Sequence, residues 1–446
     1  MPLRSTSAIR RVPALRRSDW RGLTRLGVSA TVGVVDLVEE LHLAIGARAG
    51  LLAPTSEGRA AGITGGVYRI VRGTTRLVGR GLDSVLGAST GRRPGDGSAA
   101  AQVGDPSREA LLALLNGVSG DHLADSGNPL AITMGFRSDG VRFEPTRNAL
   151  ATRFPDSRAK VLVLVHGLCM NDLQWKRRGH DHGQALARDG GFTPVYLHYN
   201  SGRHVSQNGR DFAALLEQLV GHWPVPITEL VIVGHSMGGL VTRSACHVGA
   251  EANQAWLTRL TTLVFLGTPH HGAPLERGGQ LIGRLLGLSP FLAPFTRLGT
   301  IRSAGVTDLC FGNLQDADWQ GLDRHSQRGD SRCPTPLPDG RTVFIVAATT
   351  SAGRSRIADR MIGDGLVPLA SALGEHPDPA RSLSLPDGHR WIARAANHWD
   401  LLSRDDVYRQ LRAWLTTDPE GEVVARAVDG TAVRAGTDQR IRQISS

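Results

Sequence analysis

Six residues, Gly234-His235-Ser236-Met237-Gly238-Gly239, constrain this chain more than any other segment. They follow an unbroken apolar run, Leu230–Val233, and precede a stretch of helical character around Leu240–Glu251. A buried strand that feeds a helix through so short a turn presses backbone against backbone. Glycine tolerates that approach, and Gly234 and Gly238 stand where it falls. The turn lifts the Ser236 hydroxyl clear of the sheet. The Met237 N–H, at the helix start, is placed to stabilise an oxyanion. A bare Gly-x-Ser-x-Gly is common by chance; the strand before it and the helix after it make Ser236 a candidate nucleophile.

The surrounding pattern supports that context. Val161–Val165, Pro194–Tyr199, Leu230–Val233, Leu263–Leu266 and Val343–Ala347 are short, nearly continuous apolar runs. Helical segments lie between them, around Asp211–Val220 and Leu240–Glu251. Buried parallel strands with crossover helices explain this economically, so an α/β fold with a mostly parallel sheet is expected. A hairpin is expected from Ala131–Phe136 and Val141–Phe143 about Ser138-Asp139-Gly140. Residues 273–342 interrupt the alternation and, with Leu281, Ile282, Leu285 and Phe291, read as a partly helical cap.

A serine hydroxyl needs a base, and the base needs an orienting acid. In this topology the order along the chain is serine, acid, histidine. Asp364 lies between two glycines in a loop beyond Val343–Ala347; Asp330 and Asp387 are rivals that follow no readable strand. His398, a loop histidine before an apolar helix start, suits delivery to the serine from above, with His389 as its competitor among 16 histidines. A second oxyanion donor is expected after the first strand, where Gly167 permits a turn that aims the Leu168 N–H at the site. Cys169 in the same loop lacks an elbow of its own and reads as a buried small hydrophobe.

Taken together, these residues resemble the α/β-hydrolase superfamily, and within it bacterial lipases and GPI inositol-deacylase-like esterases. The resemblance covers roughly residues 129–416. It rests on Val163-Leu164-Val165-His166-Gly167-Leu168, the Gly234–Gly239 turn, Gly267-Thr268-Pro269-His270-His271-Gly272, Asp364-Gly365-Leu366-Val367-Pro368 and Asn397-His398-Trp399-Asp400-Leu401-Leu402. It implies an α/β-hydrolase fold with Ser236 as nucleophile, Asp364 as acid and His398 as base. It also implies the Leu168 and Met237 N–H groups as the oxyanion hole. The implied activity is hydrolysis of a carboxylic ester with a hydrophobic acyl part; lipases of this kind often hold calcium, but no acidic cluster for it is readable here, so no metal and no cofactor are expected. Acyl transfer, thioester cleavage and amide cleavage are alternatives open to the same triad. A membrane-docking protein with an incidental hydrolase domain is the non-enzyme alternative.

Composition bounds the rest. Four cysteines without metal-ligand spacing argue against a disulfide scaffold and a structural metal. The charge is lopsided: residues 1–100 hold 15 Arg against 7 Asp and Glu. Residues 1–17 read as a basic, disordered start, 18–87 as a helical hairpin, and 88–105 as a Gly/Pro/Ser-rich linker. The main domain is expected over 106–416, its first helix capped by Asp105 with Pro106 next, and 417–446 as a tail. In the hairpin, Arg69, Arg72, Arg76 and Arg80 share one helical face, suited to water or to an anionic membrane surface. They are not interleaved with aromatics, so nucleic-acid binding is not expected. Neither a secretory leader nor a membrane-spanning run is readable, so a cytoplasmic, at most peripherally membrane-bound, location is expected.

Overall fold

The structure is a computed structural model and describes residues 15–16, 18–29, 73–74, 76–77, 80, 105–273, 303–322, 330–352 and 363–416. Its centre is an eight-stranded sheet in the order β2-β1-β4-β3-β5-β6-β7-β8. The strands are β1 (Gly135–Ser138), β2 (Val141–Phe143), β3 (Lys160–Val165), β4 (Thr193–His198), β5 (Glu229–His235), β6 (Leu260–Leu266), β7 (Thr342–Thr349) and β8 (Arg390–Arg394). The strands from β4 to β8 pair in parallel, and the β1–β2 hairpin joins antiparallel through β1 against β4. The hairpin turns through Asp139 and Gly140, both at positive φ, as a two-residue turn of this hand requires.

Continuous apolar strands follow from burial on both faces. Val161, Val163, Val165, Leu230 and Ile232 enter one layer, while Leu162, Leu164, Val231 and Val233 enter the other. Helices α1 (Pro106–Asp125), α3 (Val205–His222) and α4 (Met237–Glu251) bury Leu115, Leu123, Phe212, Leu216, Leu240 and Val241 in the first layer. Helices α2 (His182–Gly190) and α6 (Asp405–Thr416) bury Leu186, Val407, Leu411 and Leu415 in the second. The Asp105 carboxylate caps α1 through the Ser107 N–H at 3.0 Å, with Pro106 at the first helical position.

Four elements depart from the sequence-based expectation. β8 was not expected, because an edge strand of Arg, Trp and Ile at half burial carries no continuous apolar run. Helices α2 and α6 were not singled out either. The first expected hairpin strand is shorter than Ala131–Phe136, beginning only at Gly135.

The insertion after β6 is tied down where it is described. Its helix α5 (Ala304–Phe311) begins at Ser303, whose Oγ donates to Gly117 O of α1 at 2.7 Å. Buried Asp308 accepts from Val205 N at 2.8 Å and from Asn313 Nδ2 at 2.8 Å, and lies 2.9 Å from His204 Nδ1. Leu281, Ile282, Leu285 and Phe291 lie outside the described residues.

The N-terminal helical region is not a free appendage in its first helix. Residues 18–29 are helical and pack on α1, with Leu26 in the core. Arg108 of α1 grips Asp19 with a two-pronged bond, Nε to Oδ2 at 2.6 Å and Nη2 to Oδ1 at 2.7 Å. Asn128 Nδ2 donates to Gly22 O at 3.1 Å. Of the expected arginine face, Arg76 and Arg80 are helical and exposed, and Arg69 and Arg72 lie outside the described residues. No described helix is long and apolar enough to cross a membrane.

Burial alone would raise the Asp19 carboxyl, but the Arg108 fork and the Arg16 N–H hold it below its ordinary value. A depressed carboxylate stabilises the fold above its unfolded value and loses that contribution as pH falls. Asp19→Asn is therefore expected to cost about 1.5–3 kcal/mol at pH 7, the worth of hydrogen bonds to a charged group. The gap from wild type should begin to narrow below about pH 4 and go on closing as pH falls through the lower value of the folded protein. Urea denaturation at pH 7 and pH 3.5 checks both.

Candidate active site

The C-terminal ends of four strands supply the site. β5 runs into the turn at Ser236, whose backbone sits at φ 54°, ψ −125°, a region that side-chain-bearing residues rarely occupy. The surroundings hold it there. Ser236 N donates to Leu266 O at the end of β6, at 2.8 Å, and Gly239 N donates back to Ser236 O at 3.0 Å. A Cβ on Gly238 would lie 2.2 Å from Val165 O, and one on Gly234 would lie 2.7 Å from the Gly239 Cα. Both elbow glycines are thus required by close backbone approach, as the sequence suggested.

β7 and β8 contribute the ionisable pair. Beyond β7 the chain returns at Gly363, whose carbonyl accepts from Thr350 N at 2.9 Å. Asp364 Oδ1 accepts from Leu366 N at 2.9 Å and Val367 N at 2.8 Å. Its Oδ2 lies 2.6 Å from His398 Nδ1, and His398 N donates to Asp364 O at 3.2 Å. With both carboxylate oxygens engaged, the His398 ring is fixed in orientation and its proton is drawn to Nδ1, which leaves Nε2 as the acceptor. The imidazole stands 4.7 Å, centroid to centroid, from that of His235, the residue before Ser236. Gly267, next to the carbonyl that anchors Ser236, lies against the same ring. Ser236, Asp364 and His398 are therefore gathered at one place, all of them buried.

The loop after β3 completes the arrangement. Leu168 and Met237 both border the Ser236 turn, and neither backbone N–H has a hydrogen-bond acceptor among the described residues. Two residues of β4 and its following turn, which sequence patterns did not reveal, hold this loop. Tyr199 stacks on His166 at 4.3 Å and donates its hydroxyl to His166 O at 2.8 Å. Ser201 Oγ accepts from Cys169 N at 3.0 Å. Burial brings His166 down to about 4 and holds His235 well below its ordinary value, so both rings beside the site are neutral at pH 7.

The rivals are elsewhere. His389 precedes β8, at the N-terminal end of the strands and so across the sheet's length from the site, with Nδ1 3.0 Å from Val343 O. Asp330 is bound to Arg332, Arg381 and His376, and Asp387 is exposed in a turn. Burial pushes the Cys169 thiol up to about 12, where it is no nucleophile at neutral pH. Among the described residues, no group of three or more His, Cys, Asp or Glu side chains is placed to hold a metal ion.

Residues 157–288, which span the loop after β3, the Ser236 turn and the Gly267–Gly272 motif, match the family model of the PGAP1-like alpha/beta domain. The chain has the α/β-hydrolase fold. It is similar to the mature lipase BlEst2 of Bacillus licheniformis, at 20% identity over 58% of this chain and 92% of that one, with a TM-score of 0.38. It is similar also to the esterase Pf2001 of Pyrococcus furiosus, at 14% identity over 61% and 82% of the two chains, with a TM-score of 0.33. The type II thioesterase YbtT of a yersiniabactin biosynthetic pathway shows 17% identity over 60% and 94%, with a TM-score of 0.34. No curated protein sequence matches this α/β-hydrolase chain.

The thiols offer a direct check on the nucleophile. Iodoacetamide at pH 8 is expected to modify exposed Cys333 and to spare Cys169 and Cys246, whose thiols burial raises to about 12. Peptide mass mapping before and after denaturation reads this out. Rapid native labelling of Cys169 would restore the cysteine reading.

Proposed function

We propose that this α/β-hydrolase cleaves carboxylic esters with a hydrophobic acyl part, using Ser236, His398 and Asp364. The observation that carries the reading is the 2.6 Å pairing of His398 Nδ1 with an Asp364 carboxylate whose other oxygen is already tied, beside a serine held at positive φ. In this reading His398 Nε2 takes the Ser236 proton as Oγ attacks the acyl carbon. The oxyanion of the tetrahedral intermediate sits between the Leu168 and Met237 N–H groups. His398 then gives its proton to the leaving alcohol, which departs and leaves an acyl-serine. Water, deprotonated by the same imidazole, attacks that ester and releases the acid and free Ser236. Asp364 stays ionised and stabilises the imidazolium in each half.

A hydrophobic acyl part is favoured by the Leu- and Phe-bearing insertion between β6 and β7, which leaves the sheet directly beside the site. Hydrolysis of p-nitrophenyl esters from acetate to palmitate tests the reading. Ser236→Ala is expected to lower kcat by about 10⁶ and Asp364→Asn by about 10⁴, the scale of such deletions in serine hydrolases. A fluorophosphonate should label Ser236 alone. Labelling of Ser236 without ester turnover would shift the assignment to a thioester, an amide or an acyl acceptor, and absence of both would remove the serine-hydrolase reading.

A further inference from the structure

Helix α4 carries, six residues beyond Met237, a cation that the reaction does not use. Arg243 is 5% exposed, and no carboxylate lies within ion-pairing distance of it among the described residues. Its Nη2 donates to Thr335 O at 2.5 Å and its Nη1 faces His270 Nδ1 at 3.4 Å, while Nε has no partner. A guanidinium N–H can only donate, so His270 Nδ1 accepts and the ring proton rests on Nε2, which also has no partner. Burial lowers Arg243 only to about 10, so it is charged at neutral pH. Asp318 lies close enough to act on the Arg243 charge, yet forms no ion pair with it among the described residues; its carboxylate accepts from the backbone N–H groups of Leu314, Gln315 and Cys333. A buried charge left in this state costs several kcal/mol unless something supplies the opposite sign.

Both residues line a cavity of about 760 Å³, within the size range of small-molecule sites. Its walls are of two kinds. Leu314, Leu337, Leu383 and Leu385 form an apolar side, and Arg332 and Arg381 stand at the cationic side, held in place by Asp330. The one further acid on the lining, Asp339, is exposed. We propose that this cavity is a binding site, separate from Ser236, for a carboxylate bearing an apolar chain, with the head against Arg243 and the chain along the leucines. A carboxylate supplies the single missing charge, and its planar oxygens suit the donors that a guanidinium presents. The leucine wall calls for an apolar remainder in place of a free inorganic anion.

Isothermal titration calorimetry on full-length Ser236→Ala protein, which turns over no ester, tests the site by binding alone. It is therefore independent of whether the proposed reaction is correct. Sodium octanoate is expected to bind, with 1-octanol and sodium acetate each at least about tenfold weaker, since each lacks one half of the recognition. Adding Arg243→Met should weaken octanoate at least about tenfold. Adding Leu385→Trp, which keeps the charge and fills the cavity, should do the same, and it carries the test if the Arg243 variant fails to fold. Octanoate that binds equally well to both cavity variants, or not at all, overturns the proposal. Octyl phosphate binding more tightly than octanoate overturns the carboxylate assignment.

Discussion

The turn at Ser236 is a conformation that an isolated peptide would leave at once, and most of the site exists to prevent that. Positive φ at a serine costs on the order of 1–3 kcal/mol, so neighbours must overdetermine it. They do so from both sides. The β6 carbonyl of Leu266 takes the Ser236 N–H, while the β3 carbonyl of Val165 presses so close to Gly238 that no side chain fits there. Those carbonyls can stand where they do only because β3, β5 and β6 are parallel neighbours in register, Val165 opposite Gly234 and His235 opposite Leu266. The parallel sheet in turn requires apolar helices on both faces. Strain at one residue thus depends on the packing of the whole domain.

That dependence explains what could be read from the chain. The central strands were legible because strands buried on both faces leave unbroken apolar runs, and the elbow was legible because close backbone approach leaves glycines. Asp364 was legible because its loop follows the readable strand β7, and His398 because it stands late in the chain just before an apolar helix start. β8 was not legible: at the edge of the sheet only Ala393 among its residues is buried, and Arg390 and Arg394 bound it. Tyr199 and Ser201 escaped for another reason. Their partners, His166 and Cys169, lie about 30 residues away, and no local spacing encodes a bond made across strands. The Asp19–Arg108 pair is a longer-range case, since it joins residues 89 apart, and helical periodicity says which face a residue lies on but not what it meets.

Arginine excess in this chain first reads as a bias of composition, with Lys only at 160 and 176. The structure nevertheless spends several arginines on tasks a lysine would do poorly. Arg108 closes a two-pronged bond on Asp19, and Arg137 bridges Glu109 and Asp172 at 2.8 and 3.0 Å. The first needs donors in a planar fork, the second uses Nη1 alone for both carboxylates, and both link α1 to its surroundings. Through Asp172 the second pair reaches the loop that bears Leu168 and Cys169. The N-terminal helix, α1 and the loop after β3 are therefore joined by one chain of ion pairs, even though the family match begins only at residue 157.

Helix α4 brings these strands of argument together. Its first turn presents Met237, whose N–H has no acceptor among the described residues, and its second presents Arg243, whose Nε has no partner and which forms no ion pair among them. Six residues of α-helix separate them by about 9 Å along the axis. The two needs differ in kind. An orphan N–H at a helix start costs little, because the helix dipole and a passing oxyanion both suit it. A buried guanidinium has no such cheap resolution, and replacing it by an apolar residue of similar size would remove the cost outright. Its presence on a helix otherwise filled with Leu240, Val241 and Ala245 is therefore a departure from what packing alone would select, and it falls where a cavity opens. At the Ser236 turn strain is held by neighbouring strands; at Arg243 a buried charge without an ion pair among the described residues borders a cavity, which is the ground for the binding site proposed there.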